Sequence, residues 1–415
     1  MGQRIAAGQG TATKRVAVVG AGYAGMAAAV TLASRGVPVT VFESGPVPGG
    51  RARRVRTEGR ELDNGQHILV GAYTELFRLM HLVGVPGDAL LRIPLEIRYA
   101  RDFSFRSLWL PASFGLALGL LLARGIPFAE RLGAAQFMSA MRRNGFRLSP
   151  DVPVSELLNR HGQNGRIGHF LWRPLCVSAL NTPPELASAN RFLAALRDTL
   201  GGAAGASDLL LPRVDLSRMF PEPAMEYVRA HGGDVRLRSP VESLSSLKNE
   251  FKSVIVAVGP HQLKSLMPKT TDFTYQPIYT CYLQYAAEVR LPFPMLGLAD
   301  GLVQWVFDRG ALLGEKGRLA CVISAQGDHQ QMEQDELARR CHLELKKENL
   351  VGEDPAWMRV IAEKRATITC AVGLLPVNTD LGNIRLAGDY TDPEYPPTLE
   401  AAVRSGVKAA LEVTQ

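Results

Sequence analysis

The sequence is poor in cysteine and has none of the spacings typical of metal or disulfide sites. Of its 415 residues five are cysteines, no two of which form a CxxC pair, and its eight histidines show no ligand spacing. Most of these cysteines stand in apolar runs, where a free thiol behaves as a small buried hydrophobe. We therefore expect a protein of the reducing cytoplasm, without disulfides or a bound metal ion.

A run of apolar residues long enough to span a membrane is also missing. The longest candidate, residues 108–123, has about sixteen mostly apolar residues and includes Pro111, whereas a span needs about twenty. This segment is either a buried helix of a substrate region, or a helix that dips into one leaflet or lines the entrance of a lipid tunnel. The residues before Lys14 lack the apolar core of a signal peptide, so no secretion is expected.

Signatures of nucleic-acid binding are absent, although the chain is basic with a net charge of +7. It has no helix-turn-helix pattern, no zinc-finger spacing and no aromatic platform for RNA. The densest basic cluster is RARRVR at residues 51–56. We therefore predict no nucleic-acid partner, and a protein that is peripheral to the cytoplasmic face of a membrane, whose surface is anionic.

The first pattern that is present is a strand, a glycine turn and a helix of the kind that binds a dinucleotide. Residues 14–42 begin with the apolar run RVAVV, continue as GAGYAG and a helix of small residues, and end with the strand VPVTVF. The glycines of GxGxxG allow a tight turn, close approach of a pyrophosphate and close packing of helix on strand, and the helix N-terminus attracts phosphate. An acid after the second strand can accept the ribose hydroxyls. The cofactor residues predicted here are Gly20, Gly22, Tyr23, Ala24, Gly25, Glu43 and Ser44.

The next segment favours a flavin over a nicotinamide cofactor. SGPVPGGRARR follows Glu43 directly, where a simple dehydrogenase usually continues into its next helix. Gly50 would permit close backbone approach, and Arg51 would meet a phosphate or the flavin, so we assign both to FAD. The remaining arginines of this segment are expected to form a solvated basic face: Arg53, Arg54 and Arg56.

The C-terminal end predicts the second half of the same site. Residues 383–389, NIRLAGD, are typical of a buried strand, and the EYPP that follows must be extended or turned because residues before proline avoid the helical region. Thr398 then caps or starts a last helix, whose N-terminal dipole would stabilise negative charge on a reduced flavin. The cofactor residues predicted in the rear part of the chain are Val241, through its backbone to adenine, Gly388, Asp389, Thr398 and Leu399.

Two internal segments, 232–244 and 253–260, also have the pattern of strands that return to the first domain. The predicted fold class is therefore α/β: a Rossmann-type FAD-binding domain, discontinuous in sequence, with an inserted α+β substrate-binding domain of mixed sheet and helices. The predicted pieces of the FAD-binding domain are residues 14–95, 223–262 and 366–415. Those of the substrate domain are residues 96–222, which include the apolar helix 108–123, and residues 263–365, its sheet part.

These motifs resemble the flavin amine oxidase and phytoene desaturase superfamily. The matching pieces are GAGYAG, Glu43, GGRA, LDNGQHILVGAY and LAGDYTDPEYPPTLEAAVRSG, and the likeness covers most of the chain from about Lys14. Two further segments resemble the hydroxysqualene dehydroxylase branch of this superfamily. They are the middle block WRPLCVSALNTPPELASANRF and LVQWVFDRG at 302–310. The resemblance implies an FAD enzyme of squalene and hopanoid biosynthesis that acts on a C30 isoprenoid. It would convert hydroxysqualene to squalene, with hydride passing from flavin reduced by NADPH to the allylic carbon as water leaves.

The resemblance also implies where the polar end of the substrate pocket lies. In relatives the segment LDNGQHILVGAY, here residues 62–73, passes beside the flavin, so His67 or Asp63 would donate the proton that the leaving hydroxyl needs. A packing histidine and a turn aspartate are the alternatives. Trp305 and Asp208 are candidate pocket residues, and the face of an indole can stabilise an allylic cation. Their alternatives are a core tryptophan and a carboxylate that fixes inter-domain geometry.

Two other functions stay open at this point. An oxidative enzyme of the same fold, a phytoene-type carotenoid desaturase or an amine oxidase, would use the same cofactor motifs but would move hydride from substrate to flavin. A prenyl-chain carrier without chemistry would not need the complete set of GxGxxG, Glu43, GGR and GD. The oligomeric state cannot be read from this sequence.

Overall fold

Strands from the beginning, the middle and the end of the chain form one six-stranded sheet. The structure is a computed structural model and describes residues 15–108, 112–200, 204–268 and 270–415. The strands are β1 Val16–Val19, β2 Val39–Phe42, β3 Arg54–Thr57, β4 Arg60–Asp63, β5 Leu69–Val70, β6 Leu90–Ile93, β7 Glu96–Arg98, β8 Ser104–Arg106, β9 Leu209–Pro212, β10 Asp234–Arg236, β11 Ser253–Val256, β12 Tyr275–Gln284, β13 Met295–Gly297, β14 Trp305–Asp308, β15 Arg318–Ser324, β16 Trp357–Ile368, β17 Asp380–Leu381 and β18 Ile384–Leu386.

The helices connect these strands and cover the sheets. They are α1 Tyr23–Ser34, α2 Thr74–Leu82, α3 Ala112–Leu122, α4 Phe128–Arg143, α5 Val154–Arg160, α6 Arg173–Leu180, α7 Ala189–Leu200, α8 Leu216–Met219, α9 Pro221–Ala230, α10 Leu244–Glu250, α11 Pro260–Leu266, α12 Arg309–Leu313, α13 Gln334–Lys347 and α14 Leu399–Glu412.

The six-stranded sheet has the order β10-β2-β1-β11-β18-β17, and all its pairings are parallel except that of the edge strand β17. Its central strand β1 is buried along its whole length, and Val18 lies between Val41 and Ile255. A continuous apolar run is what a parallel strand needs, because helices cover both faces of such a sheet. The predicted α/β class, with a dinucleotide-binding sheet assembled from distant parts of the chain, is confirmed.

Helices lie on both faces of this sheet. On one face α1 is buried from Tyr23 to Ala33, because α14 covers its outer side. The two helices touch through their backbones: a Cβ on Gly406 would lie 2.0 Å from the carbonyl oxygen of Ala24. On the other face α10 and α11 pack against Ala17 and Val19 of β1. The last helix of the chain is thus fixed to the first.

A second, antiparallel sheet has the order β13-β14-β15-β12-β16. Side chains alternate along β12: Cys281 and Leu283 pack with Cys341 of α13, whereas Tyr282 belongs to the core on the opposite face. That opposite core also contains residues of α4, α6 and α7. This sheet therefore has helices on both sides and contributes Tyr282 to the interior described below.

The apolar segment predicted at residues 108–123 forms α3 over Ala112–Leu122, and residues 109–111 lie outside the part of the chain that the structure describes. Leu120 of this helix is buried, while Leu118 and Leu122 are exposed. Within the described ranges no helix combines the length and the apolar character that crossing a membrane requires. The predicted domain boundaries stay predictions, and Lys14 lies outside the described residues.

Candidate functional site

The glycine turn after β1 is closed so tightly that side chains are excluded from it. A Cβ on Gly25 would lie 1.9 Å from the carbonyl oxygen of Gly20, and a Cβ on Gly20, which has φ of +103°, would lie 2.6 Å from the carbonyl oxygen of Ala257. Gly22 is the residue before α1, which starts at Tyr23 and continues through Ala24 as predicted. The N-terminus of α1 therefore stands directly at the carboxyl edge of the parallel sheet, where a phosphate would meet free N–H groups.

The GGR segment lies against this turn. The backbone N–H of Gly49 donates to the carbonyl oxygen of Ala21 over 2.8 Å. Gly50 has φ of +62°, and a Cβ there would lie 3.2 Å from Cα of Gly22. Two glycine backbones thus face each other with no side chain between them. The GGR segment is thereby held directly against the start of α1.

Glu43 is held at the end of β2 by backbone donors. Its Oε2 accepts from the N–H of Ala21 at 2.8 Å, and its Oε1 accepts from the N–H of Gly45 at 2.7 Å. Ser44 is exposed beside it. The carboxylate therefore sits next to the glycine turn, at the position expected for an acceptor of ribose hydroxyls. Val241, which follows β10, and Phe42 are both partly buried against the same apolar cluster.

The C-terminal part of the chain reaches the GGR segment through an ion pair. Nη2 of Arg51 lies 2.6 Å from Oδ1 of Asp389, and Nη1 of Arg51 donates to the carbonyl oxygen of Ala366 at 2.7 Å. Asp389 is buried and follows Gly388 at the end of β18. The predicted residues of the front and rear halves of the site are therefore in direct contact.

Thr398 caps the last helix, which is one of the two local roles predicted for it, and its role in binding the cofactor stays a prediction. Its Oγ1 accepts from the N–H of Ala401 at 3.2 Å, and Leu399 is the first residue of α14. Glu400 is fully buried and accepts from the N–H groups of Glu75 and Leu76, at 3.0 and 2.9 Å. These bonds satisfy the N-terminus of α2, so Glu400 has a structural role.

Asp63 is part of a buried charge network. Its Oδ1 accepts from the N–H of Leu216 at 2.9 Å, and its Oδ2 lies 3.0 Å from Nη1 of Arg309. Arg309 is only 1% exposed, and it also binds both carboxylate oxygens of Glu315, at 2.7 and 2.8 Å. Its guanidinium stands over the ring of Tyr282, whose hydroxyl donates to the carbonyl oxygen of Asp63. Burial raises the pKa of Asp63, and the neighbouring Arg309 opposes that rise.

His67 lies two residues after Gly65, and one of its ring nitrogens has no partner among the described residues. Its Nδ1 is buried and makes no hydrogen bond to the described residues. Burial, together with the positive charge of Arg51, lowers the pKa of His67 to about 4, although a hydrogen bond with the backbone of Gly65 opposes this shift. The imidazole is therefore neutral near pH 7, and Nδ1 is available to a group that is bound beside it.

A narrow cavity connects this polar cluster with apolar side chains. Its polar wall is formed by Asp63, Gln66 and His67. The opposite wall is apolar and consists of Leu211, Pro212, Leu216, Phe307, Leu312 and Leu313. Its volume is about 10 Å³, which is room for about one water molecule or a small polar group.

The two predicted pocket residues have other partners. Nε1 of Trp305 donates to Oγ of Ser178 at 3.1 Å, and the indole is buried in the core between the helices and the second sheet. Oδ2 of Asp208 accepts from Nε of Arg92 at 2.7 Å. These contacts place Trp305 in the apolar core and Asp208 in an ion pair, and pocket roles for these side chains stay predictions.

One expectation about the arginines was wrong. Arg54 is not on a solvated face: its side chain is 15% exposed and forms ion pairs with Asp215 and Glu222, at 3.1 and 2.7 Å. Its partners lie about 160 positions away in the chain, so no local sequence pattern indicates these ion pairs. Arg56, in contrast, is 79% exposed, as predicted.

The residues present fit a flavin dinucleotide. The glycine turn places the N-terminus of α1 at the edge of the sheet, Glu43 stands at the ribose position, and the buried Nδ1 of His67 lacks a partner among the described residues. The hydroxyl of Tyr390, next to Asp389, is likewise buried without a partner among the described residues. Polar atoms that are buried and unpaired in a folded chain are expected to meet a bound group.

Comparisons with known proteins agree with this arrangement. The family model for flavin containing amine oxidoreductases matches residues 23–414. A hydroxysqualene dehydroxylase from Zymomonas mobilis is 28% identical over 429 residues, which cover 95% of this chain and 97% of that protein. A protein described as probable zeta-carotene desaturase, from Synechococcus elongatus, is 23% identical and covers 95% of this chain and 98% of its own length.

A solved structure shows the same fold. An oxidoreductase from Methanosarcina mazei superimposes with a TM-score of 0.72 at 14% identity, covering 96% of this chain and 100% of that chain. At this identity the likeness concerns the fold alone. Together with the match to the family model, it indicates a flavin-dependent oxidoreductase.

Proposed function

Because the chain belongs to the flavin containing amine oxidoreductase family, we propose that it reduces hydroxysqualene to squalene with FAD as its cofactor. The likeness that supports this substrate extends over 95% of the chain, to a relative that is named hydroxysqualene dehydroxylase. This near full-length likeness carries the proposal, and the small cavity lined by Asp63 and His67 is where the polar end of the substrate would react.

Residues from the N-terminal and the C-terminal parts of the chain would hold FAD together. The backbones of Gly20, Gly22 and Gly50 would face the pyrophosphate, and Glu43 would accept the ribose hydroxyls. Asp389 and the N-terminus of α14 would face the remaining part of the cofactor. When bound and reduced, FAD supplies hydride. NADPH is the proposed source of the electrons.

The polar wall would bind the end of the substrate that reacts. Breaking an allylic C–O bond requires stabilisation of the leaving hydroxide. Asp63 is suited to fixing the position of the Arg309 cation. Its two oxygens are already bonded to Arg309 and to the N–H of Leu216. His67 is the better candidate for contact with the hydroxyl, because its Nδ1 is buried and unpartnered among the described residues. In the neutral imidazole this nitrogen can donate a hydrogen bond to the leaving oxygen.

The hydrocarbon chain of the substrate would extend beyond this small cavity, and only the part next to the reacting carbon would contact its apolar walls. Leu211, Leu216 and Phe307 line the cavity beside the polar wall. Such walls exclude water, and a dry site strengthens the hydrogen bond to the leaving oxygen. A C30 substrate of this kind dissolves in membranes, so we also propose that the protein works in the cytoplasm, at the surface of the membrane.

Oxidative desaturation is the second candidate. The likeness to the protein described as probable zeta-carotene desaturase supports it, since that relative also matches over nearly the whole chain. The two functions differ in the direction of hydride transfer. Purified protein with FAD is to be incubated with hydroxysqualene and NADPH under argon, and separately with phytoene or a polyamine in air. We expect squalene in the first reaction only. Products in air and none under argon would favour the oxidative enzyme.

A further inference from the structure

The helices α3 and α4 form a hairpin that exposes large apolar side chains. Within the described residues nine large apolar side chains are exposed, and four of them lie on this hairpin. Leu118 and Leu122 are one turn apart on α3, with exposed fractions of 39% and 62%. Phe128 and Leu132 are one turn apart on α4, with exposed fractions of 67% and 46%. A concentration of this kind on the surface marks a site of interaction. We call these four side chains the apolar patch.

The hairpin is fixed to the rest of the protein. Between the helices, Arg131 donates to the carbonyl oxygens of Leu121 and Ile126, both at 2.9 Å. The N–H of Arg124 donates to the carbonyl oxygen of Ser104 in β8, at 2.9 Å. The turn between the helices packs so closely that a Cβ on Gly125 would lie 1.6 Å from the carbonyl oxygen of Asp102. The apolar patch is therefore presented by an ordered element.

Two further bonds connect the hairpin to the segment before α6. Nε of Arg166 donates to the carbonyl oxygen of Gly125 at 2.6 Å, and Oε2 of Glu130 accepts from the N–H of Ile167 at 2.8 Å. Glu130 is the only acidic residue between positions 118 and 147. Because its carboxylate is directed to this N–H, it is held away from a partner that approaches the patch.

Exposed arginines lie in the turn beside the apolar patch and at the far end of α4. Residues 118–147 contain five arginines, of which Arg131 donates to backbone carbonyls and Arg147 pairs with Glu394. Arg124 stands in the turn between Leu122 and Phe128 and is exposed. Arg142 and Arg143 form the exposed, basic C-terminus of α4. Apolar side chains beside arginines match the acyl chains and anionic headgroups of a lipid bilayer.

The inner side of the same hairpin belongs to the protein interior. Leu120, Ile126 and Phe137 are buried in one apolar cluster with Trp305 and Phe307. Phe307 also lines the cavity at the polar cluster of Asp63. The hairpin is therefore continuous, through apolar side chains, with the region that would hold the substrate.

We propose that the α3–α4 hairpin docks the protein on an anionic lipid bilayer, with Leu122 and Phe128 inserted among the acyl chains and Arg124 at the headgroups. The docking surface deepens the proposed function, because it gives a membrane-dissolved substrate a route into the interior. In this respect alone it rests on that function. Binding to lipid itself requires no substrate. The two proposals can therefore fail separately.

Flotation of the FAD-loaded protein with vesicles tests the docking surface. The vesicles contain phosphatidylcholine alone or with phosphatidylglycerol. The test variant is Leu122→Ser with Phe128→Ser. The matched control is Leu343→Ser with Leu375→Ser, which changes two side chains that are 60% and 70% exposed elsewhere. A third variant, Arg124→Gln, changes only the charge at the turn.

We expect wild type and control to bind the anionic vesicles, less so as salt is added. The Leu122→Ser, Phe128→Ser variant should bind at least about tenfold more weakly. Its FAD content and its turnover of detergent-dispersed hydroxysqualene should be those of wild type. Arg124→Gln should weaken binding to anionic vesicles only.

Three results would overturn the docking surface. The first is that the wild type floats with neither kind of vesicle. The second is that the Leu122→Ser, Phe128→Ser variant binds vesicles as strongly as the wild type. The third is that analytical ultracentrifugation shows a changed oligomeric state in that variant. The last would assign the patch to a contact between two copies of this chain. Vesicle binding without squalene formation, in contrast, would contradict the proposed function and leave the docking surface in place.

Discussion

Nη2 of Arg51 lies 2.6 Å from Oδ1 of Asp389, although 338 positions separate the two residues in the chain. Arg51 follows the glycine pair that packs on the first turn, and Asp389 follows the strand that precedes the last helix. The ion pair therefore joins the two halves of the candidate cofactor site. Side-chain exposures of 29% and 9% protect it from much of the solvent screening that weakens surface pairs.

Breaking this pair should release FAD. In Asp389→Asn or Arg51→Met a charged, partly buried group loses a hydrogen bond that is worth about 1.5–3 kcal/mol. Because the bond joins both halves of the site, we expect the Kd for FAD to rise by about tenfold or more. FAD content after purification and titration of the apoprotein measure this. Arg340→Met, which breaks an exposed pair with Glu336 on α13, is the control. Unchanged FAD affinity in both test variants would contradict the assignment.

Gly25→Ala should prevent FAD binding without unfolding the second sheet. The new Cβ would lie 1.9 Å from the carbonyl oxygen of Gly20, so the turn must open. Gly352→Ala places a Cβ where no atom lies within 4 Å and should behave like wild type. The yellow colour of the purified proteins and their circular dichroism distinguish the two. A yellow Gly25→Ala protein with normal affinity would show that the cofactor lies elsewhere.

Removing Arg309 should be costly for stability. Arg309→Met leaves the carboxylates of Asp63 and Glu315 buried without their cation, which costs about 3–5 kcal/mol in free energy of unfolding. Urea unfolding of the variant and wild type measures this difference. Asp63→Asn should also lose stability and activity together, because the pair positions the segment before His67. A fully stable Asp63→Asn enzyme that has lost kcat and one limb of its pH profile would instead make Asp63 the proton donor.

His67 should make the protein less stable in mild acid. Its pKa is lowered from 6.5 to about 4 in the folded protein, so the unfolded chain binds its proton first as the pH falls. The stability due to the neutral ring is present above about pH 6.5 and is lost as the pH falls towards 4, by at most about 3 kcal/mol.

Comparison of wild type with His67→Gln isolates this contribution, since other titrating groups are common to both. The difference in free energy of unfolding should change between pH 6.5 and 4 and stay constant above that window. Activity of the wild type should show no limb from His67 between about pH 5 and 8, because the ring is already neutral there. A constant difference down to pH 4 would contradict the burial of the ring.

The local parts of the site were readable from sequence because their signals are local. The glycine turn, the start of α1 at Tyr23 and the cap at Thr398 each depend on residues within a few positions of each other. The return of the last strand to the first sheet was also predictable. A buried apolar run such as residues 384–386 needs parallel strands beside it and helices that cover it.

The long-range parts could not be read in this way. Arg54 was expected in solvent, but it meets Asp215 and Glu222, which the fold brings from about 160 positions away. The partner of Asp63 is Arg309, 246 positions away, and no spacing rule connects them. Gly406 looks like an ordinary helix residue until α14 is placed on the backbone of Ala24. Charge pairing and close packing between distant segments depend on tertiary structure that a local pattern does not contain.

The direction of hydride transfer is the central claim, and one anaerobic experiment measures it. Enzyme whose FAD has been reduced in the absence of oxygen is mixed with hydroxysqualene, while flavin absorbance and extracted products are followed together. We predict that the flavin reoxidises and that squalene forms in equal amount, with Gly25→Ala protein inactive. Flavin that stays reduced, with hydroxysqualene recovered intact, would contradict the dehydroxylase.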